Sequence, residues 1–376
     1  MGVSSAAMPE RLLLGPGPSM VHPRVLEAMS APLVGHLDPA FLELLDGVQA
    51  SLRRLFKTAN EMTLPIPGTG SAAMEACFAN LVEEGDEVVV GVCGVFGSRM
   101  KEVATRLGAR VVAVEAPWGE ALEPRAFEQA LARCVRPSLL ALVHAETSTG
   151  VWQPLEEIAS LAKDAGALLM VDCVTSLGGC EVEVDAWGVD ACYSATQKCL
   201  SCPPGLSPLT MSERAMDKVR SRRSKPRTWY LDLGLIGNYF GGERIYHHTA
   251  PVSMIYGLAE ALALIEEEGL EARFERHRRN HLALMEGLGE LRLKPAVAES
   301  ERLWMLNSVL VPQGMDEAAL RRRLLGECGI EIGPGLGPLA GRILRIGLMG
   351  HSSRASHVER LLSAMGQELA KPADYS

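Results

Sequence analysis

The 376-residue sequence lacks any apolar run near the roughly 18 residues that a membrane-spanning helix needs. Its first residues also lack the charged segment followed by an apolar one that marks a secretory signal. A myristoylation signal would start at Gly2, but Ala6 stands where that signal has Ser or Thr. These absences predict a cytoplasmic protein that has no membrane partner.

An excess of positive charge is missing as well. The formal net charge of −9 produces a field that repels nucleic acid. The basic run 218–227 could bind a polyanion, although a solvated surface face is the commoner meaning of such a run. We therefore expect no nucleic-acid partner.

The sequence also lacks the residue spacing of a metal site. Cys199 and Cys202 form a lone C-x-x-C, and no second pair of Cys or His follows at the spacing of a zinc site. The nine cysteines lie mostly in apolar segments, where a reduced thiol behaves as a small hydrophobic group. The sequence predicts reduced cysteines and no bound metal.

What is present is an alternation of short apolar segments and helical patterns. The apolar, strand-like segments are 86–93, 110–115, 139–145 and 168–174, and the helical ones are 97–108, 124–134 and 153–165. Such an alternation predicts an α/β fold in which helices flank a mostly parallel sheet. After residue 250 the pattern becomes that of a smaller α+β domain, with helical 253–265, 268–289 and 315–327 and strand-like 303–311 and 342–348.

The opening segment 12–19 holds too many Gly and Pro residues for a regular element, which predicts an extended arm. We expect three parts: an N-terminal arm (1–20), a large cofactor-binding domain (21–255) and a small C-terminal domain (256–376).

Polar residues that directly follow apolar segments are candidate site residues, because ligands bind beyond the carboxyl ends of the strands in open α/β sheets. They occur at 68–71, 146–150, 172 and 194–198. The free N–H groups of the helix that starts after 68–71 would suit a phosphate, but a turn with a helix cap explains the same residues. The segment is not a Walker loop, because Gly-Lys-Ser/Thr is absent.

Asp172 and Lys198 are the candidates that carry charge. Asp172 ends an apolar segment, where a carboxylate is costly unless it meets a donor or a positive charge, such as a protonated pyridine nitrogen. Lys198 follows a second strand-like segment, 190–195, so both side chains could meet at one sheet edge. An isolated lysine is more often a surface residue, but this lysine accompanies Asp172 and a phosphate-binding turn. Together they favour a cofactor site.

The ordered motifs Gly-Thr-Gly-Ser, Thr-Ser-Thr-Gly, Val-Asp-Cys-Val-Thr-Ser, Ser-Ala-Thr-Gln-Lys and Tyr-His-His-Thr resemble those of fold-type I, class V aminotransferases. Within that group they resemble the alanine–glyoxylate and serine–glyoxylate enzymes, from Leu14 to Gly347. The resemblance implies that the cofactor is pyridoxal 5′-phosphate, which Lys198 carries as a Schiff base. Lys198 would also move a proton during catalysis, and Asp172 would pair with the pyridinium nitrogen.

Further residues are implied only by this resemblance. The cofactor-binding positions that match are Thr69, Gly70, Ser71, Phe96, Thr147, Asp172, Val174, Gln197, Lys198, Tyr246 and Thr249. The first three and Gln197 would surround the phosphate, and Thr147 would contact the phenolic oxygen. Phe96 stands where well-known relatives have a tryptophan that stacks on the ring, and Ser71 where some have a histidine; phenylalanine should still stack, with less area.

The resemblance also implies partners. Tyr246 and Thr249 match residues that reach the phosphate of a neighbouring subunit, which implies a homodimer with shared active sites. Arg345 lies between Leu344 and Ile346 in the strand-like segment 342–348, and its planar guanidinium group could bind the carboxylate of an amino-acid substrate. A salt bridge at the rim of the protein is the alternative role. The implied reaction transfers the amino group of a small amino acid, with alanine favoured, to glyoxylate, which gives glycine and pyruvate. Serine or another small amine is the alternative donor.

The same residues leave other functions to consider. Cysteine desulfurases share the fold and Cys328 could be their nucleophile, but Gln197 stands where they usually have His, and Cys328 ends a helical pattern. A kynureninase-like lyase has less motif support. A non-catalytic, cofactor-binding regulator would need a DNA-binding module, and too few residues precede the core for one.

Overall fold

The structure is a computed structural model that describes residues 8–370. Its strands are β1 (Leu12–Leu13), β2 (Met62–Pro67), β3 (Glu87–Val92), β4 (Arg110–Glu115), β5 (Pro137–Val143), β6 (Ala145–Glu146), β7 (Val151–Trp152), β8 (Leu168–Asp172), β9 (Ala191–Tyr193), β10 (Leu206–Met211), β11 (Leu306–Leu310), β12 (Ile330–Glu331), β13 (Gly333–Pro334) and β14 (Ile343–Gly347).

The α-helices are α1 (Pro23–Met29), α2 (Pro39–Phe56), α3 (Gly70–Leu81), α4 (Val95–Arg106), α5 (Pro124–Leu131), α6 (Glu156–Asp164), α7 (Val184–Trp187), α8 (Glu213–Arg220), α9 (Leu233–Phe240), α10 (Val252–Glu268), α11 (Leu270–Glu290), α12 (Glu317–Glu327) and α13 (Ala355–Ala370). Within residues 8–370, none of the helices is long and apolar enough to cross a membrane.

The central sheet has seven strands in the order β2-β10-β9-β8-β5-β3-β4. β10 pairs antiparallel with both of its neighbours, and the other pairs are parallel. Consecutive residues such as Val88, Val89 and Val90 are all buried, as expected for strands that helices cover on both faces. The predicted α/β fold with a mostly parallel, helix-flanked sheet is confirmed.

Local sequence explains where the helices begin and end. Helix α2 begins after Asp38, whose carboxylate accepts a hydrogen bond from the Ala40 N–H, and Pro39 occupies the first turn. It ends at Lys57, which adopts a left-handed conformation. Between these limits Phe41, Leu45 and other apolar residues at helical spacing face the core.

The described residues form two main apolar cores. The larger one combines the central sheet with its flanking helices and includes Ile265 of α10. The second combines α11, α12 and α13 with the three-stranded sheet β11-β14-β13, and it includes Leu12 and Leu14. Helix α10 thus runs from the predicted large domain into the predicted small one, and the boundaries 1–20, 21–255 and 256–376 remain predictions.

The N-terminal arm differs from the sequence prediction in one respect. Leu12 and Leu13 form β1, which pairs in parallel with Ile330 and Glu331 of β12, although no regular element was expected in 12–19. The two leucines precede the Gly and Pro residues, and burying Leu12 and Leu14 in the second core stabilises an ordered backbone there. Of the predicted arm, residues 1–7 lie outside the described part of the chain.

Candidate active site

Asp172 and Lys198 both lie at the carboxyl edge of the central sheet. Asp172 is the last residue of β8, and Lys198 lies in the segment that follows the neighbouring strand β9. Both side chains are buried. The convergence expected from the sequence is therefore present in the geometry.

The N-terminal arm covers Lys198. The Lys198 amine donates a hydrogen bond to the carbonyl oxygen of Pro16, and the Ser19 hydroxyl donates to the Lys198 carbonyl at 2.7 Å. Gly17 lies so close that an added Cβ would stand 2.9 Å from Nζ, and its φ of 111° also favours glycine. The backbone of the arm thus forms one wall around the amine.

Burial and the nearby charge of Arg345 lower the pKa of Lys198 to about 8. Water would stabilise the protonated amine, and burial removes that water. A larger fraction of Lys198 is therefore uncharged near neutral pH than of an exposed lysine. An uncharged amine can act as a nucleophile and as a base.

Asp172 is held by two neutral donors. Its Oδ1 accepts from the Val174 N–H at 2.8 Å, and its Oδ2 accepts from the Tyr193 hydroxyl at 2.7 Å. Burial nevertheless raises the pKa of this carboxyl to about 7. In the part of the chain that the structure describes, Asp172 forms no ion pair, so the carboxylate lacks the positive charge that a pyridinium nitrogen would supply.

The start of α3 offers donors for a phosphate. Thr69 is exposed at the N-cap and its side chain makes no cap hydrogen bond, although the Ala72 N–H is bonded to the Thr69 carbonyl at 2.7 Å. The positive end of the helix dipole at this N-terminus would attract a phosphate. Gly70 packs closely, since an added Cβ would lie 3.1 Å from the side chains of Val174 and Ala195. Gln197 has a buried Oε1 without a hydrogen-bond partner among the described residues. These features fit a phosphorylated pyridine cofactor.

Ser71 and Phe96 are linked by a residue that the sequence analysis did not name. Arg99 donates to the Ser71 hydroxyl at 3.0 Å, and its guanidinium carbon lies 5.1 Å from the centre of the Phe96 ring. Phe96 is half-buried in the first turn of α4. The expected phosphate and ring contacts of this edge therefore lie on the adjacent starts of α3 and α4.

Glu146 fixes the start of α4. Its buried carboxylate accepts from the backbone N–H of Phe96 at 3.1 Å, from the N–H of Gly97 at 3.3 Å and from the Ser148 hydroxyl at 2.5 Å. Burial raises the pKa of this carboxyl, although the hydrogen bonds oppose the shift. The sequence showed Glu146 within a candidate segment but gave no reason to assign it this role.

Arg345 reaches the site from the second core. It lies on β14, and it donates from Nη1 to the Thr147 carbonyl at 2.9 Å and from Nε to the Pro334 carbonyl at 2.7 Å. Burial lowers its pKa to about 10, so the group stays charged at neutral pH. Ser308, opposite Arg345 in the strand register, has a buried hydroxyl without a partner among residues 8–370. Arginine has five N–H donors, and its remaining donors suit a substrate carboxylate.

Tyr246 and Thr249 are the predicted site residues that have no contact with this cluster within the described chain. Both are exposed, and the Tyr246 ring centre is 5.5 Å from that of His36. Within the described chain, no hydrogen bond or ring contact joins either residue to Lys198 or Asp172. The single chain therefore brings together the other predicted site residues but not these two.

The basic run 218–227 is largely neutralised by its surroundings. Lys218 pairs with Asp86 at 3.0 Å, Arg227 with Glu84 at 2.7 Å, and Arg222 donates to the carbonyl of Asn80 at 2.8 Å. These contacts support the interpretation as a solvated surface face. All nine cysteines are free.

Comparisons with known proteins agree with this geometry. The model of the family described as aminotransferase class-V matches residues 11–356. The chain is 41% identical to the alanine–glyoxylate aminotransferase of Mus musculus, over 96% of this chain and 88% of that protein. It is 39% identical to the (S)-ureidoglycine–glyoxylate transaminase of Bacillus subtilis, over 95% and 90%. The solved alanine–glyoxylate aminotransferase of Nostoc sp. superposes with a TM-score of 0.96 at 51% identity and covers 98% of both chains.

Proposed function

The chain belongs to the class-V aminotransferase family, and on that premise we propose that it transfers the amino group of alanine to glyoxylate, giving pyruvate and glycine. It is an enzyme whose cofactor is pyridoxal 5′-phosphate. The observation that carries the proposal is the meeting of three buried ionisable groups: the Lys198 amine and the Asp172 carboxyl at the edge of the central sheet, and the Arg345 guanidinium that reaches this edge from β14.

The residues described above would hold the cofactor between α3, α4 and β8. Thr69, Gly70, Ser71 and Gln197 would surround its phosphate, with Phe96 and Val174 beside the ring and Thr147 at the phenolic oxygen. Asp172 would hold the proton of the pyridine nitrogen. When bound, the cofactor supplies an electron sink for the negative charge that develops at the substrate α-carbon.

Lys198 would bind the cofactor covalently and serve as the base that removes the α-proton of the amino acid. Its lowered pKa of about 8 suits that role, because the amine must be uncharged to accept the proton. The arm backbone around Gly17 restricts the space of the amine. Arg345 would bind the substrate carboxylate and set the orientation of the α-carbon.

The homodimer is part of this proposal. An exposed apolar surface, here called the tyrosine surface, includes Leu33, Leu37, Trp229, Tyr230, Ile245 and Tyr246. Ring contacts connect its loops, since His36 lies against Tyr246 and Trp229 stacks on His247 at 4.4 Å. Large exposed apolar patches usually mark association sites. A second copy on this surface would bring Tyr246 and Thr249 to the phosphate of its neighbour.

A reducing, cytoplasmic location is also proposed. All nine cysteines are free, and several of them, including Cys77 and Cys192, are buried in the core. Proteins of oxidising compartments more often pair their cysteines.

The alanine assignment can be tested by visible spectroscopy of the purified, cofactor-loaded protein. Alanine should bleach the yellow band and release pyruvate, and glyoxylate should then restore the band. Initial rates against both substrates should give parallel lines, as expected for a shuttling cofactor. Bleaching by serine or (S)-ureidoglycine but not by alanine would reassign the donor, and a protein that takes up no cofactor would refute the whole proposal.

A further inference from the structure

A buried hydroxyl with no role in the proposed function lies against Asp172. Tyr193, the last residue of β9, is fully buried, and its hydroxyl donates to Oδ2 of Asp172 at 2.7 Å. The parallel strands β8 and β9 place the two residues directly opposite each other in register. Sheet geometry therefore fixes this contact.

Tyr193 supplies the only side-chain hydrogen bond that the described residues give to Asp172. The other donor is the backbone N–H of Val174, which meets Oδ1. With one donor on each oxygen, the plane of the carboxylate is set from both ends. Burial favours the protonated form of Asp172, and both hydrogen bonds oppose it by stabilising the ionised form.

Among the described residues, the other titratable groups that act on Asp172 disfavour its negative charge, except the Lys198 amine, which favours it when protonated. They are Cys77 from α3, Cys192 from β9, Glu146 from β6, and Cys173 and Lys198 from the segments that follow β8 and β9. The cysteines and Glu146 are neutral or negative, so they do not favour a second negative charge. The hydroxyl of Tyr193 is thus the side-chain contact that can be changed without altering any charge near neutral pH.

We propose that Tyr193 is a positioning residue, which keeps Asp172 ionised and aims its carboxylate at the pyridine nitrogen of the bound cofactor. The inference rests on the proposed function, because it requires that the cofactor occupies this site. We expect Tyr193 to act through Asp172 and to touch neither the cofactor nor the substrate. Its contribution should therefore depend on the presence of the pyridine nitrogen.

The test compares two cofactors on the full chain stripped of cofactor. Tyr193→Phe removes the hydroxyl and keeps the ring in its buried space. The dissociation constant of pyridoxal phosphate should rise roughly tenfold at pH 7, as expected for loss of a hydrogen bond to a charged group. The analogue 1-deazapyridoxal phosphate has carbon in place of the pyridine nitrogen. Its dissociation constant from Tyr193→Phe should stay within about twofold of its value for the wild-type chain. Equal weakening of both cofactors, or of neither, would overturn the proposal.

A second pair of variants separates an effect that passes through Asp172 from a general disturbance of the fold, which would weaken binding in both backgrounds. In an Asp172→Asn background, adding Tyr193→Phe should change pyridoxal phosphate affinity by less than about twofold, because the charge on which Tyr193 acts is gone. A full tenfold loss in that background would show that Tyr193 acts independently of Asp172. If the wild-type chain binds neither cofactor, the proposed function fails before the role of Tyr193 is addressed.

Discussion

Two regions of the molecule differ in how completely their polar groups are satisfied within one chain. At the carboxyl edge of the sheet, Asp172 and Lys198 are buried and have hydrogen-bond partners from β9 and the arm. On the tyrosine surface and beside it, Tyr246 and Thr249 are exposed, and within the described chain no hydrogen bond or ring contact joins them to Asp172 or Lys198. One chain thus assembles the reacting end of the site, and the proposed dimer would add Tyr246 and Thr249 at the phosphate end.

The largest expected effect is at the reacting end. Lys198→Ala should reduce turnover by a factor on the order of 10³ or more, because it removes the base and the covalent attachment point together. Steady-state rates with alanine and glyoxylate measure the change. Lys225→Ala, which removes an exposed lysine, is the matched control and should keep wild-type turnover. Appreciable turnover by Lys198→Ala would refute the assigned role.

The second largest effect is expected from Arg345→Lys. The substitution keeps the charge but loses the planar fork, so KM for alanine should rise roughly 10- to 100-fold while kcat falls less. Arg342→Lys alters an exposed arginine near the start of the same strand and should leave both constants unchanged. An unaltered KM in Arg345→Lys would mean that the substrate carboxylate binds elsewhere.

Substitutions at Tyr246 and Thr249 should have a smaller effect, on cofactor binding by the neighbouring subunit. Tyr246→Phe combined with Thr249→Ala should weaken pyridoxal phosphate binding by roughly tenfold, since two hydrogen bonds to phosphate are lost. Tyr230→Phe removes a hydroxyl from the same surface and should bind the cofactor normally. Co-expression of the double variant with Lys198→Ala should give hybrids more active than either parent. Failure to complement would argue that each site is built from one chain.

The smallest expected effect concerns pH. The uncharged fraction of Lys198 rises as the pH passes its pKa of about 8, and Asp172 becomes ionised above about pH 7. Both changes favour cofactor uptake as the pH rises. The uptake rate of the stripped protein should therefore rise several-fold between pH 7 and 8 and level off above pH 9. A rise that continues beyond pH 10 would indicate an amine with an ordinary lysine pKa.

The sequence predicted those features that depend on local patterns. The strands and helices of the sheet follow from apolar periodicity, and Asp172 was recognised because it ends such a segment. Val174 and Gln197 came from the resemblance, and the structure brings both to the same edge. Cys328, the possible desulfurase nucleophile, does lie at a helix end, because α12 stops at Glu327. The Cys328 carbonyl accepts a hydrogen bond from the Arg360 guanidinium at 2.7 Å.

The features that were missed depend on contacts between distant segments. Tyr193 meets Asp172 because β8 and β9 pair in one register, and a single sequence does not give register between strands. Pro16 meets Lys198 because the arm crosses between the two cores. Helix α4 follows Gly94, which has no side chain to cap it, and the carboxylate of Glu146 from β6 accepts a hydrogen bond from the free N–H of Phe96 instead. This contact between distant segments leaves no local signal in the sequence.

The arm has a practical consequence for anyone who shortens the chain. Deleting the first nineteen residues would look harmless, because such a segment resembles a dispensable tail. It would remove β1 from the second core and also the backbone wall around Lys198. Trimming or tag placement should therefore stop before residue 11, where the backbone starts to pair with the strand around Ile330.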